Sequence, residues 1–148
     1  MADDLVELLL AHTGLYVGTD HDPARPDRAP QIARIKVSAL PRRVGVIFDY
    51  EGIRHDPKQL IGHAEHAVLA RTANGLVLYS ASNHAPTLIE LRETAAGYFE
   101  AADGSAPFAL AIQIEVPAAG RLIYTWLFGE PGGEVRVGNI GDVYLTTV

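Results

Sequence analysis

Short segments of alternating apolar and polar residues, separated by turn-forming residues, fill most of this chain. The clearest run lies between residues 74 and 116, where four such segments follow one another at 75–82, 87–94, 97–102 and 107–116. A period of two residues is typical of β-strands that bury one face. The connections between them are too short for a crossover helix, so neighbouring strands are predicted to be antiparallel. Asn74-Gly75 and Asp103-Gly104 support hairpins, because these residue types readily adopt the positive φ of tight hairpin turns.

The rest of the chain continues this pattern. Further strands are predicted at 15–20, 31–40, 43–54, 63–71 and 121–129, and a last one within 134–148. Residues 22–30 carry repeated prolines and are predicted to be a loop, and 55–57 to be a turn. Residues 3–11 are predicted to form a helix, with Leu5, Leu8 and Leu9 on its buried face and Asp3 or Asp4 as its cap.

These elements predict an all-β fold, an up-and-down antiparallel β-barrel of about ten strands with a short N-terminal helix. Residues 1–148 are expected to be a single domain, with the helix in 1–12 and the barrel in 14–148. The interior of such a barrel can hold a ligand.

Composition and charge narrow the classes of partner. The net charge is −6 and no cluster of Lys or Arg occurs, so binding to nucleic acid is not expected. The absence of cysteine excludes disulfides, thiolate metal sites and a cysteine nucleophile. The first residues are acidic and no apolar segment is long enough to span a membrane, so we expect a cytoplasmic protein without a membrane partner.

His63 and Glu65 are the most suggestive polar pair. They share one face of a predicted strand, because side chains alternate, and His66 lies on the other face. Such a pair can bind a metal, act as acid and base, or orient a polar ligand. A cross-strand ion pair or a pair facing solvent is the alternative. His84 lies in a turn and is expected to be simply solvent-exposed.

Aromatic residues recur on the predicted strands and can be either core packing or a wall for a ligand. We place His63 and Glu65 inside the barrel as polar contacts. The aromatic lining candidates are Tyr16, Phe48, Tyr50, Tyr79, Tyr124 and Trp126.

These residues favour a protein that binds a small, largely apolar molecule. No phosphate-binding loop, nucleophile elbow, zinc-protease helix or dinucleotide fingerprint occurs, so no catalytic or metal-binding residue is assigned. Two alternatives remain open: an isomerase or hydrolase that uses His63 and Glu65, and a structural module with a filled barrel. The latter would form a homodimer through apolar outer surfaces within 99–116 and 123–127.

Several motifs resemble one family. The start of the first strand, Gly14-Leu-Tyr16-Val-Gly, resembles that of the lipocalin and fatty-acid-binding-protein superfamily, with tyrosine where tryptophan is usual. The segment His63-Ala-Glu-His-Ala-Val68 is similar to the His-x-Glu-x-Gly-aromatic pattern of nitrobindin-like proteins. The hairpin at 78–83 and 88–93 resembles the next one in that family. The resemblance covers nearly the whole chain from Gly14 and implies a ligand-holding barrel, although Tyr16, Ala67 and Val68 depart from the pattern.

The resemblance does not imply a heme site in this chain. Heme-binding nitrobindins hold ferric iron through a histidine on the last strand, whereas no histidine follows His84 here. Tyr144 is a conceivable tyrosinate ligand, but no spacing demands it. Fatty-acid-binding proteins use an Arg-x-Tyr pair near the chain end, where this chain has Asp142-Val-Tyr144. We therefore expect no cofactor, no heme, and no carboxylate binding by that route.

Overall fold

The protein is a closed antiparallel β-barrel in a computed structural model that describes residues 4–54, 58 and 61–146. The predicted turn at 55–57 lies outside these residues. The elements are α1 (Leu5–Leu10), β1 (Gly14–His21), β2 (Gln31–Ala39), a 3₁₀ turn (Pro41–Arg43), β3 (Gly45–Ile53), β4 (Ile61–Thr72), β5 (Gly75–Ser82), β6 (Ile89–Ala95), β7 (Tyr98–Ala101), β8 (Ala109–Ala118), β9 (Arg121–Gly129) and β10 (Arg136–Leu145).

Each strand pairs antiparallel with its neighbours in sequence, and β1 closes the barrel by pairing with β10. In β2, the buried Ala33, Ile35 and Val37 alternate with more exposed positions, as the period of two predicts. The predicted all-β barrel with a short N-terminal helix is thereby confirmed. The architecture is consistent with a fold of the lipocalin or fatty-acid-binding type.

Helix α1 closes one end of the barrel. Asp4 caps it by accepting a hydrogen bond from the backbone N–H of Glu7 at 2.8 Å. Its buried residues are Val6, Leu9 and Leu10, so the predicted buried face of Leu5, Leu8 and Leu9 is wrong by one register. Both sets have the same helical spacing, and only the docking of α1 against β2, β3 and β8 distinguishes them.

Aromatic rings from opposite walls fill the middle of the barrel. Phe48 and Tyr50 of β3 meet Tyr124 of β9, with ring centroids 5.4 Å and 5.5 Å apart. Gly141 of β10 makes room for this layer, since a Cβ atom there would lie 2.5 Å from the hydroxyl oxygen of Tyr50. The interior is therefore packed from α1 to this ring layer, as a protein core is.

Candidate functional site

The end of the barrel opposite α1 opens into a cavity of about 440 Å³. Its walls come from the ends of β1, β4, β9 and β10 and from the connections beside them, with residues such as Asp20, His63, His84, Phe108, Trp126, Phe128 and Asn139. The volume falls in the range of small-molecule pockets, about 300–1,000 Å³. We call this space the mouth cavity.

The predicted site residues divide into layers around the mouth cavity. His63 and Trp126 line it. Tyr50 and Glu65 lie one layer deeper, in contact with these two residues, and Tyr124 lies behind Tyr50 and Glu65. Phe48 is completely buried in the ring layer, and the Tyr16 hydroxyl donates to the carbonyl of His12 beside α1.

Tyr79 does not join this group, which corrects its placement among the lining residues. Its neighbours Leu78 and Ser80 on β5 are completely buried, so the half-buried Tyr79 lies on the outer face. It pairs there with Val68 of β4 and Glu90 of β6. Both faces of β5 carry apolar residues, so alternation alone could not say which face points inward.

Glu65 accepts hydrogen bonds from three side chains beneath the cavity. Its Oε1 atom accepts hydrogen bonds from the Trp126 indole N–H and from His63 Nε2, the latter at 3.2 Å, and its Oε2 atom accepts from the Tyr124 hydroxyl. A carboxylate offers two oxygens as acceptors and suits this set. Burial, and then the negative charge of Glu65, raises the pKa of Tyr124 well above its ordinary value. Tyr124 therefore stays protonated and remains a donor.

His63 is held in one orientation by its surroundings. Its ring lies between those of Tyr50, His84 and Trp126, at centroid distances of 4.9, 5.1 and 5.0 Å. Because Nε2 faces Glu65, Nδ1 is the ring nitrogen left to interact with a molecule in the cavity. His63 is 5% exposed, whereas His66 lies on the outer surface beside Asp49.

His84 adds a second imidazole to the same wall. It is exposed, as expected of a turn residue, but its ring lies against His63 and is 6.4 Å from that of Trp126. Partial burial, and then the charge of His63, lowers the pKa of His84. The ring is therefore mainly neutral near pH 7. Sequence position alone gave no sign that the turn folds back over β4.

Asp20 is a buried carboxylate that the sequence pattern did not single out. It is 5% exposed, and its Oδ2 atom accepts from the Tyr50 hydroxyl at 2.6 Å and from the Asn139 side chain at 3.3 Å. A signal for it exists, because Asp20 shares its strand face with the inward-pointing Tyr16. Phe128 carried the same kind of signal, because it shares its strand face with Tyr124 and Trp126, but only the strand register shows that it reaches the mouth.

Tyr144 points away from the interior and is 54% exposed. Its neighbour Val143 is completely buried, and the Arg121 guanidinium lies over the Tyr144 ring at 5.4 Å. Arg121 also pairs with Asp142 at 2.8 Å. The Tyr144 side chain therefore lies on the outer surface of the barrel and not among the residues that line the mouth cavity.

The described residues contain neither a metal-binding cluster nor a membrane-spanning helix. No cluster of three or more His, Asp or Glu side chains in residues 4–54, 58 and 61–146 has an arrangement that could hold a metal ion. Within the same residues, the single helix is too short to cross a membrane.

Comparison with models of known protein families returned no match, and comparison with curated proteins found no significant relative. What the mouth cavity can do must therefore follow from its own residues.

Proposed function

We propose that this protein binds a small, largely apolar molecule in the mouth cavity. The observation that carries the proposal is a space of about 440 Å³ with aromatic walls and a few oriented polar groups at its base. Binding sites for small molecules typically combine these two features. Trp126, Phe108 and Phe128 supply apolar surface, and His63 and Asp20 supply polar contacts.

The packing of the barrel supports a site at the mouth rather than along the whole lumen. The ring layer of Phe48, Tyr50 and Tyr124 occupies the middle of the barrel. A ligand therefore rests above this layer, and the buried tyrosines act by holding the residues it touches. We also propose that the barrel is nitrobindin-like, because the His63-Ala-Glu65 segment resembles the pattern of that family. No histidine follows His84, so we propose that the ligand is not heme.

A thermal-shift panel of small aromatic and aliphatic compounds tests the proposal. A ligand at one hundred times its Kd stabilises the native state by about 2.7 kcal/mol, which is about 5–10 °C for a domain of this size. The Phe128→Ala variant should reduce the shift, because Phe128 lines the cavity at its rim. The control Leu88→Ala changes an exposed residue elsewhere and should leave it intact. No shift with any compound, or equal losses in both variants, would contradict the proposal.

Acid–base catalysis is a second candidate, and one observation favours it. A buried carboxylate, Glu65, holds one nitrogen of a cavity-lining histidine, His63, and a carboxylate that orients an imidazole is a common way to position a general base. The chemistry this suits is proton transfer in an isomerisation or hydrolysis. Turnover of an enolisable ketone or an activated ester that is lost in His63→Gln, while binding is retained, would support it.

A structural role as a dimer has less support. The large apolar side chains that are exposed among the described residues are Val44, Ile61, Leu88, Phe128 and Tyr144. None of them lies in the outer surfaces within 99–116 and 123–127 that would form the interface. Sedimentation of the purified protein as a monomer would remove this alternative.

A further inference from the structure

Asp20 brings a negative charge to the wall of the mouth cavity without a cationic partner. It is 5% exposed, and none of the ion pairs that the structure shows among the described residues includes it. Buried carboxylates are normally paired with a cation, because leaving water is costly for a charge. A positive group on a ligand would complete this site.

The hydrogen bonds to Asp20 leave one of its oxygens open. Tyr50 and Asn139 both donate to Oδ2, and within the described residues no donor reaches Oδ1. Tyr50 remains a donor, because burial and the neighbouring Asp20 charge raise its pKa well above its ordinary value. Asp20 is thus positioned by two donors on one oxygen and can accept from a bound molecule on the other.

The rest of the floor is also negative. Glu65 lies in the next layer, and its charge contributes to the raised pKa of Tyr50, which lies between the two carboxylates. Arg28 and Arg54 line the cavity too, but both are exposed at the rim. Solvent screens exposed charges far more than buried ones, and His63 is paired with Glu65, so Asp20 is the buried charge without a cationic partner at the base of the cavity.

The aromatic wall suits the same kind of ligand. The faces and edges of Trp126, Phe108 and Phe128 can pack against an apolar ring, and aromatic rings also attract a neighbouring ammonium group. An aromatic wall beside a buried carboxylate therefore favours an apolar body that carries an amine.

We propose that the mouth cavity selects protonated amines, with the ammonium group donating to Asp20 and the apolar body lying against Trp126. This inference rests on the proposed binding function and specifies its ligand class. Carboxylates of the same shape are disfavoured, because they would place a second negative charge beside Asp20.

Three indoles with side chains of similar length test the charge preference by calorimetry at neutral pH: tryptamine, tryptophol and indole-3-propionate. Tryptamine should bind at least about tenfold more tightly than tryptophol, and indole-3-propionate should bind most weakly, given the strength of charge-assisted hydrogen bonds. This comparison uses the unmodified protein and so does not depend on the folding of any variant.

Asp20→Asn tests the assignment of the residue. An Asn side-chain oxygen can still accept from Tyr50, so the fold has a route to persist. Tryptamine affinity should fall at least about tenfold, to the level of tryptophol, whose own affinity should change less than about threefold. The control Asp49→Asn removes a carboxylate on the outer surface beside His66, away from the cavity, and it should change tryptamine affinity less than about threefold.

The outcomes separate this inference from the binding function. Equal affinities for the three indoles, or binding of other apolar compounds but of none of these, would overturn the amine preference and leave the binding function standing. A preference for tryptamine that survives Asp20→Asn would overturn the role of Asp20. Failure of every compound to bind would overturn both.

Discussion

Removal of one buried hydroxyl should measure how strongly the Glu65 cluster stabilises the barrel. Tyr124 is completely buried, and its hydroxyl donates to Glu65 Oε2. Tyr124→Phe keeps the ring contacts with Phe48 and Tyr50 and deletes only this donor. A hydrogen bond to a charged group contributes about 1.5–3 kcal/mol, so the free energy of unfolding should fall by that amount. The melting temperature should fall by about 3–12 °C for a domain of this length.

A second substitution tests whether the charge is the cause. In Glu65→Gln the amide oxygen can accept from Trp126 and His63, and the amide nitrogen can donate to the Tyr124 hydroxyl, which also accepts. The bond to Tyr124 is then neutral and contributes about 0.5–1.5 kcal/mol. Tyr124→Phe should therefore cost about 1 kcal/mol less in the Glu65→Gln background than in the native protein.

The assay is urea unfolding, followed by circular dichroism, of the native protein, the Tyr124→Phe and Glu65→Gln variants, and the variant that carries both substitutions. The control is Tyr144→Phe, which removes a hydroxyl from an exposed tyrosine and should change stability by less than about 0.5 kcal/mol. Equal costs of Tyr124→Phe in both backgrounds would refute the reasoning, because the bond would then owe nothing to the carboxylate charge. A cost as small as that of the control would refute it as well.

Four further outcomes are expected. Gly141→Ala should lower the free energy of unfolding by about 1–3 kcal/mol in urea melts, since its Cβ meets the Tyr50 hydroxyl; an unchanged midpoint would contradict the packing. Burial raises the pKa of Tyr50 and Tyr124, so these hydroxyls stay protonated to higher pH in the folded state than in the unfolded state. Stability should therefore fall above about pH 10, and tyrosinate absorbance should show that both side chains ionise only when the protein unfolds. Because the pKa of His84 is lowered, the folded state binds the His84 proton less well than the unfolded state does. Stability should therefore fall as the pH drops below about 6.5, and an NMR titration should find the pKa of His84 below that of an unfolded reference. Hemin should produce no sharp one-to-one Soret shift, and such a shift would contradict the expected lack of heme.

The sequence determined the architecture of this protein to a large extent. Alternation identified every described strand to within a few residues, and the predicted hairpin turns at Ala73 and Asn74, directly before Gly75, which has a φ of +110° and begins β5. These features are local, because a strand's buried face and a turn's backbone angles depend on neighbouring residues. Because the connections between strands are short, consecutive strands were predicted to be antiparallel neighbours. The position of the helix was also predicted from neighbouring residues, whereas its buried face depends on how the helix docks against the barrel.

Only the tertiary structure decided the site. Glu65 meets Tyr124 and Trp126, which are 59 and 61 positions away, and Asp20 meets Asn139 at a separation of 119. Periodicity indicates that two residues face inward, but strand register and barrel closure decide which of them touch. Tyr79 was placed inside because both faces of β5 carry apolar residues, and the sequence left open whether the lumen is filled. Whether the interior of a barrel is filled or open depends on the combined volume of the side chains that enter it from opposite walls. No local sequence pattern determines that combined volume.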